Sequence, residues 1–366
     1  MNILKLWGRM RNKSIFYIVS IFAILCTFSC SIVPRPEKHI TVRSAFLEPD
    51  TANRQQFSIL FYNLENLYDT IDDPTKNDDD FLPTSPKKWN TFTYYNKLNN
   101  ISKVIIASGA WHTTDIIGVA EVENKNCLLD LTHKTALSRK QYEIVHYDSP
   151  DGRGIDVALL YNPQTFEVTY SQALPVYFGN SQISTTRDIL YVKGCMKATY
   201  DSLHVFVCHF PSRLGGKTAS DAKRAAAAQV LRKTVDSIQT QNAEARIVII
   251  GDFNDTPTDE SIAKILKAHT AYNDTCMNCL TNIIDHRAQG TYCYKNEWYF
   301  LDQTIVSNAV VRNYSVLSRV QQHDFLLETN QKTGTKTPKR SYKGTFYTKG
   351  YSDHLPVLLS LWYKTP

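Results

Sequence analysis

The sequence predicts an α/β fold, with stacked β-sheets flanked by helices. Three patterns point to it. Short apolar runs recur along the chain, turn residues separate most of them, and few segments have helical spacing. The 366 residues are 43% hydrophobic and 21% charged, an ordinary globular balance, long enough for one large core or two small ones. No low-complexity stretch and no solenoid period is visible.

The first 30 residues stand apart. Lys5, Arg9, Arg11 and Lys13 precede an apolar run over 15–28, and Ser29-Cys30 follow. A run of about 14 residues is short for a membrane span and suits a signal-peptide core. Cys30 follows a small residue, as lipoprotein cleavage requires, although Thr27 and Phe28 depart from the usual pattern. The expectation is a leader over 1–30 and a lipid on Cys30 that anchors an exported protein to a membrane. An uncleaved anchor or a plain signal peptide is the alternative, and either also places the rest outside the cytoplasm. Residues 31–55 are polar with several prolines and read as a tether.

The whole chain carries a net charge of +6, from 41 Lys and Arg against 35 Asp and Glu. Without the four leader cations the balance is 37 against 35. A bulk electrostatic case for nucleic acid therefore fails, and any basic patch must be local. Of eight cysteines, Cys195 and Cys208 lie in strand-like runs and read as buried thiols. Cys276 and Cys279 form a CxxC with Cys293 beyond it. An oxidising compartment favours a local disulfide over zinc, with free thiols as the alternative.

Strands are expected at 57–62, 116–120, 142–146, 157–161, 166–171, 189–195, 203–208, 247–250, 299–307, 310–317 and 357–362. Residues 69–90, with Asp72, Asp73, Asp78, Asp79 and Asp80 among prolines, read as a loop. Helices are expected at 95–108, at 221–239, where Ala225–Ala228 favour one, and near 259–268. No composition break divides the chain beyond residue 55, so 56–366 is expected to be one catalytic domain.

Short polar motifs sit at the ends of these apolar runs. They are Asn63-Leu64-Glu65-Asn66, Gly118-Val119-Ala120-Glu121, His209-Phe210-Pro211-Ser212-Arg213, Gly251-Asp252-Phe253-Asn254-Asp255 and Ser352-Asp353-His354-Leu355-Pro356, with Asp302 as a sixth point. Polar groups at strand ends converge in clefts. Carboxylate and amide oxygens are hard ligands for magnesium, manganese or calcium. An Asp beside a His fixes the ring tautomer and supports its cation.

In these motifs, above all Gly251-Asp252-Phe253-Asn254 and Ser352-Asp353-His354-Leu355-Pro356, the chain resembles the endonuclease/exonuclease/phosphatase superfamily over roughly 57–363. That superfamily includes pancreatic-type deoxyribonucleases, apurinic endonucleases, sphingomyelinases and inositol polyphosphate 5-phosphatases. The resemblance implies a four-layered α/β sandwich with two packed, mainly antiparallel sheets and a site at one sheet edge. It implies a divalent metal, Mg2+ or else Mn2+, with Glu121 as principal ligand and Asn63, Glu65 and Asp353 as inner or outer partners. Asp252 and Asn254 would orient water and hold the phosphate. His354 would pair with Asp302, and His209 would contact the phosphate or leaving group. Arg187 matches a phosphate-contacting arginine, and Asp156 a structural strand entry.

The substrate is less legible. Phe300-Leu301-Asp302-Gln303 departs from the inositol phosphatase pattern, and Gln303 from the deoxyribonuclease one. Two stretches could grip phosphates: 211–217, with Arg213, Lys217 and, in the next helix, Lys223 and Arg224; and the basic, aromatic segment 332–349. The expected activity is that of an exported nuclease. A phosphatase or phosphodiesterase for small or lipid phosphoesters is the alternative, and a non-catalytic binding protein is the third reading.

Overall fold

The computed structural model describes residues 54–364 apart from 111, 180–184, 277 and 332–333. The expected leader and nearly all of the tether lie outside the described residues.

Along the chain the strands are β1 (Gln55–Leu67), β2 (Ile116–Val122), β3 (Glu143–His146), β4 (Asp156–Tyr161), β5 (Phe166–Leu174), β6 (Ile189–Met196), β7 (Asp201–His209), β8 (Arg246–Asp252), β9 (Ala268–His269) and β10 (Leu280–Asn282). After the hairpin β11 (Tyr292–Tyr294) and β12 (Glu297–Tyr299) come β13 (Asp302–Ser307) and β14 (Ser315–Val320). The hairpins β15 (Leu327–Thr329)–β16 (Lys336–Pro338) and β17 (Tyr342–Lys343)–β18 (Phe346–Tyr347) precede β19 (Val357–Tyr363). The helices are α1 (Thr91–Ser108), α2 (Lys125–His133), α3 (Lys217–Gln241) and α4 (Asn308–Asn313).

Six strands form one sheet in the order β14-β19-β1-β2-β4-β3, and seven form a second in the order β5-β6-β7-β8-β13-β10-β9. Only β1–β2, β7–β8 and β9–β10 are parallel, so both sheets are mainly antiparallel. Alternate residues of β1 serve two cores. Phe57, Ile59 and Phe61 face the second sheet, while Leu60, Tyr62 and Leu64 pack with Leu98 and Ile101 of α1 and Leu128 of α2. β8 does the same: Val248 and Ile250 join the layer between the sheets, and Ile247 and Ile249 meet Leu231 and Val235 of α3. Such strands are buried on both faces, hence their unbroken apolar runs. The result is helix, sheet, sheet, helix. The sheets approach closely at Gly118, where a Cβ would stand 2.6 Å from Ile250 Cδ1.

Several local expectations need correction. Residues 310–317 are not one strand: α4 occupies 308–313 before β14 begins. There the Asn308 amide donates to the carbonyls of Asn273 and Cys276, and Val310 fills the layer between the sheets from a helical turn, so tertiary burial overrides β-propensity. The helix expected near 259–268 shrinks to one wide turn, Ser261–Ile265, whose Ser261 is tied to Asp255, and just beyond its Leu266 cap Lys267 takes φ +59°. Cys195 is half-buried rather than buried, and α2 was not foreseen. Cys276 and Cys279 are disulfide-bonded, and Cys293 is free.

Leu359 lies fully buried between the sheets. Leu359→Ala should lower unfolding free energy by about 2–5 kcal/mol, measured by urea denaturation.

Candidate active site

Strand register explains most of the site. On β7, β8 and β13, His209 pairs with Asp252, and Asp252 with Asp302, so three polar residues stand side by side on neighbouring strands. From the first sheet, β1 and β2 run parallel and both are irregular at this edge. The β1–β2 register shifts between Asn63 and Leu67, and the β2–β4 register between Ala120 and Val122. Glu65, Asn66 and Glu121 take left-handed φ of 52°, 62° and 63° there. Such bulges re-aim side chains, and non-glycine strain of this kind gathers at functional sites. Glu121 reaches the cleft, held by the Asn66 N–H donating to its Oε2 at 2.9 Å. His354 is placed by Ser352, whose Oγ donates to Asn63 O at 2.7 Å and accepts from the His354 N–H at 3.1 Å.

Asp252 is the centre. Its Oδ2 accepts from Asn63 Nδ2 at 3.1 Å and lies 3.7 Å from His209 Nε2 and 3.8 Å from His354 Nε2. Its Oδ1 accepts from the Asn254 N–H at 2.9 Å, and Asn254 Nδ2 donates to Phe210 O. Burial pushes the Asp252 carboxyl up to about 6, against the opposing pull of His354. Behind His354, Asp302 Oδ2 meets Nδ1 at 2.8 Å. Burial opposes charging of His354, but Asp302 and Asp252 outweigh it and raise its pKa well above the ordinary value. His209 shifts the other way: burial, then Arg187 and Arg153, depress it well below 6.5. One imidazole is thus a cation and the other neutral at neutral pH.

These groups floor a cleft of about 710 Å3. Its lining includes Glu121, His209, Asp252, Asn254, Asp353 and His354, one wall from 212–217, and another from Tyr292, Tyr294 and Tyr299. The tyrosines escaped the sequence reading, because only the paired hairpin brings them to one face.

Not every expected residue reaches the cleft. Arg187 is buried behind it, donating through Nη1 to Asp151 Oδ2 and through Nη2 to Phe210 O, each at 2.9 Å. Arg213 does line the wall, yet its Nε donates to Asn254 O and its Nη2 to Asp259 Oδ2. Arg224, read as a phosphate-gripping cation, is instead fully buried in an ion pair with Asp255 at 2.7 Å. Glu65 turns away from the cleft. It accepts from the Ser341 N–H and Arg340 Nε, with Lys97 Nζ 3.9 Å away, and burial and then Asp353 raise its carboxyl. From the basic segment, Arg340 also donates to Asp353 at 3.0 Å, whereas Lys336 and Lys343 pair with Asp324 and Glu328.

The donor set fits a divalent cation. Glu121, Asp252 and Asp353 offer hard oxygens to one cleft, and among the described residues only Asp353 has a Lys or Arg partner. One atom each of Asp252, Asp302 and His354 also lie within 4.8 Å of one another. Glu121 and Asp353, with Asp252 and Asn63 beside them, would hold the ion.

A model of the Endonuclease/Exonuclease/phosphatase family matches residues 58–362. Among solved structures, a protein of that family from Bacteroides thetaiotaomicron is similar at TM-score 0.53 and 16% identity, covering 85% of this chain and 96% of that one. TDP2 from Caenorhabditis elegans has TM-score 0.51 and 15% identity, over 84% of this chain and 74% of that one. The human nocturnin catalytic domain with a bound sulfate has TM-score 0.50 and 16% identity, over 86% and 99%. These likenesses show the fold. The comparison with curated proteins returns no match.

Side-chain NMR of the metal-free protein at pH 7 should show His354 doubly protonated and His209 neutral. The Asp252 carboxyl should titrate near 6, being ionised above that pH and protonated below. Asp302→Asn removes the main charge supporting the cation and should bring the His354 pKa down.

Proposed function

The chain belongs to the endonuclease/exonuclease/phosphatase family of metal-dependent phosphoester hydrolases, and from that premise we propose that it is an exported, Mg2+-dependent nuclease cleaving nucleic-acid phosphodiesters. The observation that supports this most is the His354–Asp302 pair aimed at Asp252 on the floor of an open cleft. The cleft volume suits a nucleotide-sized group.

Each residue has a part. Asp252, positioned by Asn63 and Asn254, orients the attacking water when ionised. His354, kept cationic by Asp302, stabilises negative charge on the phosphoryl oxygens. His209, with Nε2 3.8 Å from Glu121 and 3.7 Å from Asp252, offers the phosphate or leaving group a neutral imidazole rather than a cation. Arg213 stands on the wall where the phosphate chain would pass. Glu121 and Asp353 would hold a divalent ion, which when bound would supply Lewis-acid stabilisation of developing charge. Arg187 acts from behind, lowering His209 rather than touching phosphate.

Export rests on the leader over 1–30, with a lipid on Cys30, a tether over 31–55 and a catalytic domain over 56–366. One feature favours a second reading. Leu214, 89% exposed on the cleft lip, would suit a lipid phosphodiester.

The full chain, purified in detergent, should cleave DNA or RNA with Mg2+ or Mn2+ and lose that activity in EDTA. Glu121→Ala and His354→Ala should each lower kcat at least a hundredfold, Glu121→Ala with near-wild-type melting temperature. Turnover confined to lipid or small phosphoesters would replace the nuclease reading with the second one, and full activity in chelator would remove the metal.

A further inference from the structure

Three tyrosines line the cleft and have no part in the chemistry above. Tyr292 and Tyr294 are two apart on β11, and Tyr299 of β12 is the register partner of Tyr292, so all three share one hairpin face. Cys293 and Trp298 pair on the opposite face, where Trp298 packs against the first core. The turn between the strands is Lys295-Asn296, with φ of 50° and 68°, the two left-handed residues of a tight hairpin.

The hairpin is also pinned to the catalytic strands. The Thr291 N–H donates to Tyr299 O at 2.8 Å, and Thr291 Oγ1 accepts from the Asp302 N–H at 3.0 Å. On the other side the Leu355 N–H, next to His354, donates to Thr291 O at 2.8 Å. The aromatic wall is therefore fixed relative to both members of the His354–Asp302 pair. Tyr292 begins the wall, its ring 4.7 Å from that of His354, centre to centre. Tyr294 continues it and is 54% exposed on the cleft, with the Lys295 ammonium 5.3 Å from the centre of its ring. Arg213 lies 5.7 Å from the Tyr299 ring, a cation beside an aromatic surface.

A flat aromatic surface beside the reacting phosphate matches a nucleobase, because every base has a π-face. We propose that the β11–β12 hairpin is a stacking platform for the base flanking the scissile phosphate, which makes single-stranded nucleic acid the preferred substrate. A base held in a duplex stack has no free face to offer. The proposal rests on the nuclease reading above and adds a substrate class to it.

The test compares oligothymidylate of about a dozen residues with an abasic tetrahydrofuran phosphate polymer of equal length. Wild-type full chain should show a KM about tenfold lower on the base-bearing strand, the size of one base stack. Tyr294→Ala should erase that difference, and Tyr294→Phe should keep it. In EDTA, an oligonucleotide carrying 2-aminopurine should lose fluorescence on binding wild type and Tyr294→Phe, but much less on binding Tyr294→Ala. Because Tyr294 is exposed, its replacement should leave the melting temperature unchanged. Equal wild-type KM on both strands, alongside robust cleavage, would overturn the platform and leave the nuclease standing. Absence of cleavage on every nucleic acid, with turnover of lipid or small phosphoesters, would overturn the nuclease reading and the platform with it.

Discussion

The hydrogen bond from Asn63 to Asp252 ties the two sheets together at the floor of the cleft. A carboxylate only 2% exposed is costly to bury unless its lone pairs are answered. Asn63 answers from the first sheet, the Asn254 N–H from the second, and two imidazoles stand just beyond hydrogen-bond reach. If β1 slid by one residue against β2, Asn63 would leave and the charge would lose its partner from the first sheet. The same burial that makes Asp252 demanding also raises its pKa toward neutrality, so structural cost and chemical use come from one cause.

Around that carboxylate, two histidines at nearly equal distance hold opposite charge states. The difference lies in what stands behind each ring. Asp302 meets His354 Nδ1, whereas His209 has burial and the nearby cations Arg187 and Arg153 to oppose its charging. Environment, not residue type, assigns the cation. It also gives Arg187 a purpose without any contact to substrate, since its guanidinium is occupied by Asp151 and Phe210 yet its field still reaches His209.

Much of this could be read from the chain. Doubly buried strands left unbroken apolar runs, and polar motifs at their ends named Asp252, Asn254, His209, His354 and Glu121, all of which line the cleft. What stayed hidden depends on contacts between distant residues. The register shifts that aim Glu121 leave no trace in a period-two pattern. Glu65 looked like a ligand, and nothing near it in sequence reveals Lys97, Arg340 or Ser341 as its partners. Arg224 carries the same residue code as a phosphate-binding arginine, and only the tertiary fold shows it sealed against Asp255. The tyrosine wall needed a hairpin register, which no composition rule supplies.

Strand order has a consequence for synthesis. β19 lies inside the first sheet, between β14 and β1, although it is the last strand of the chain. β1, made before every other strand described, must wait for β19 before one of its edges is paired. His354 comes just before that strand, far along the chain from Asn63. A growing chain therefore has neither a completed first sheet nor the His354 imidazole until β19 has been made, and the cleft cannot assemble before then.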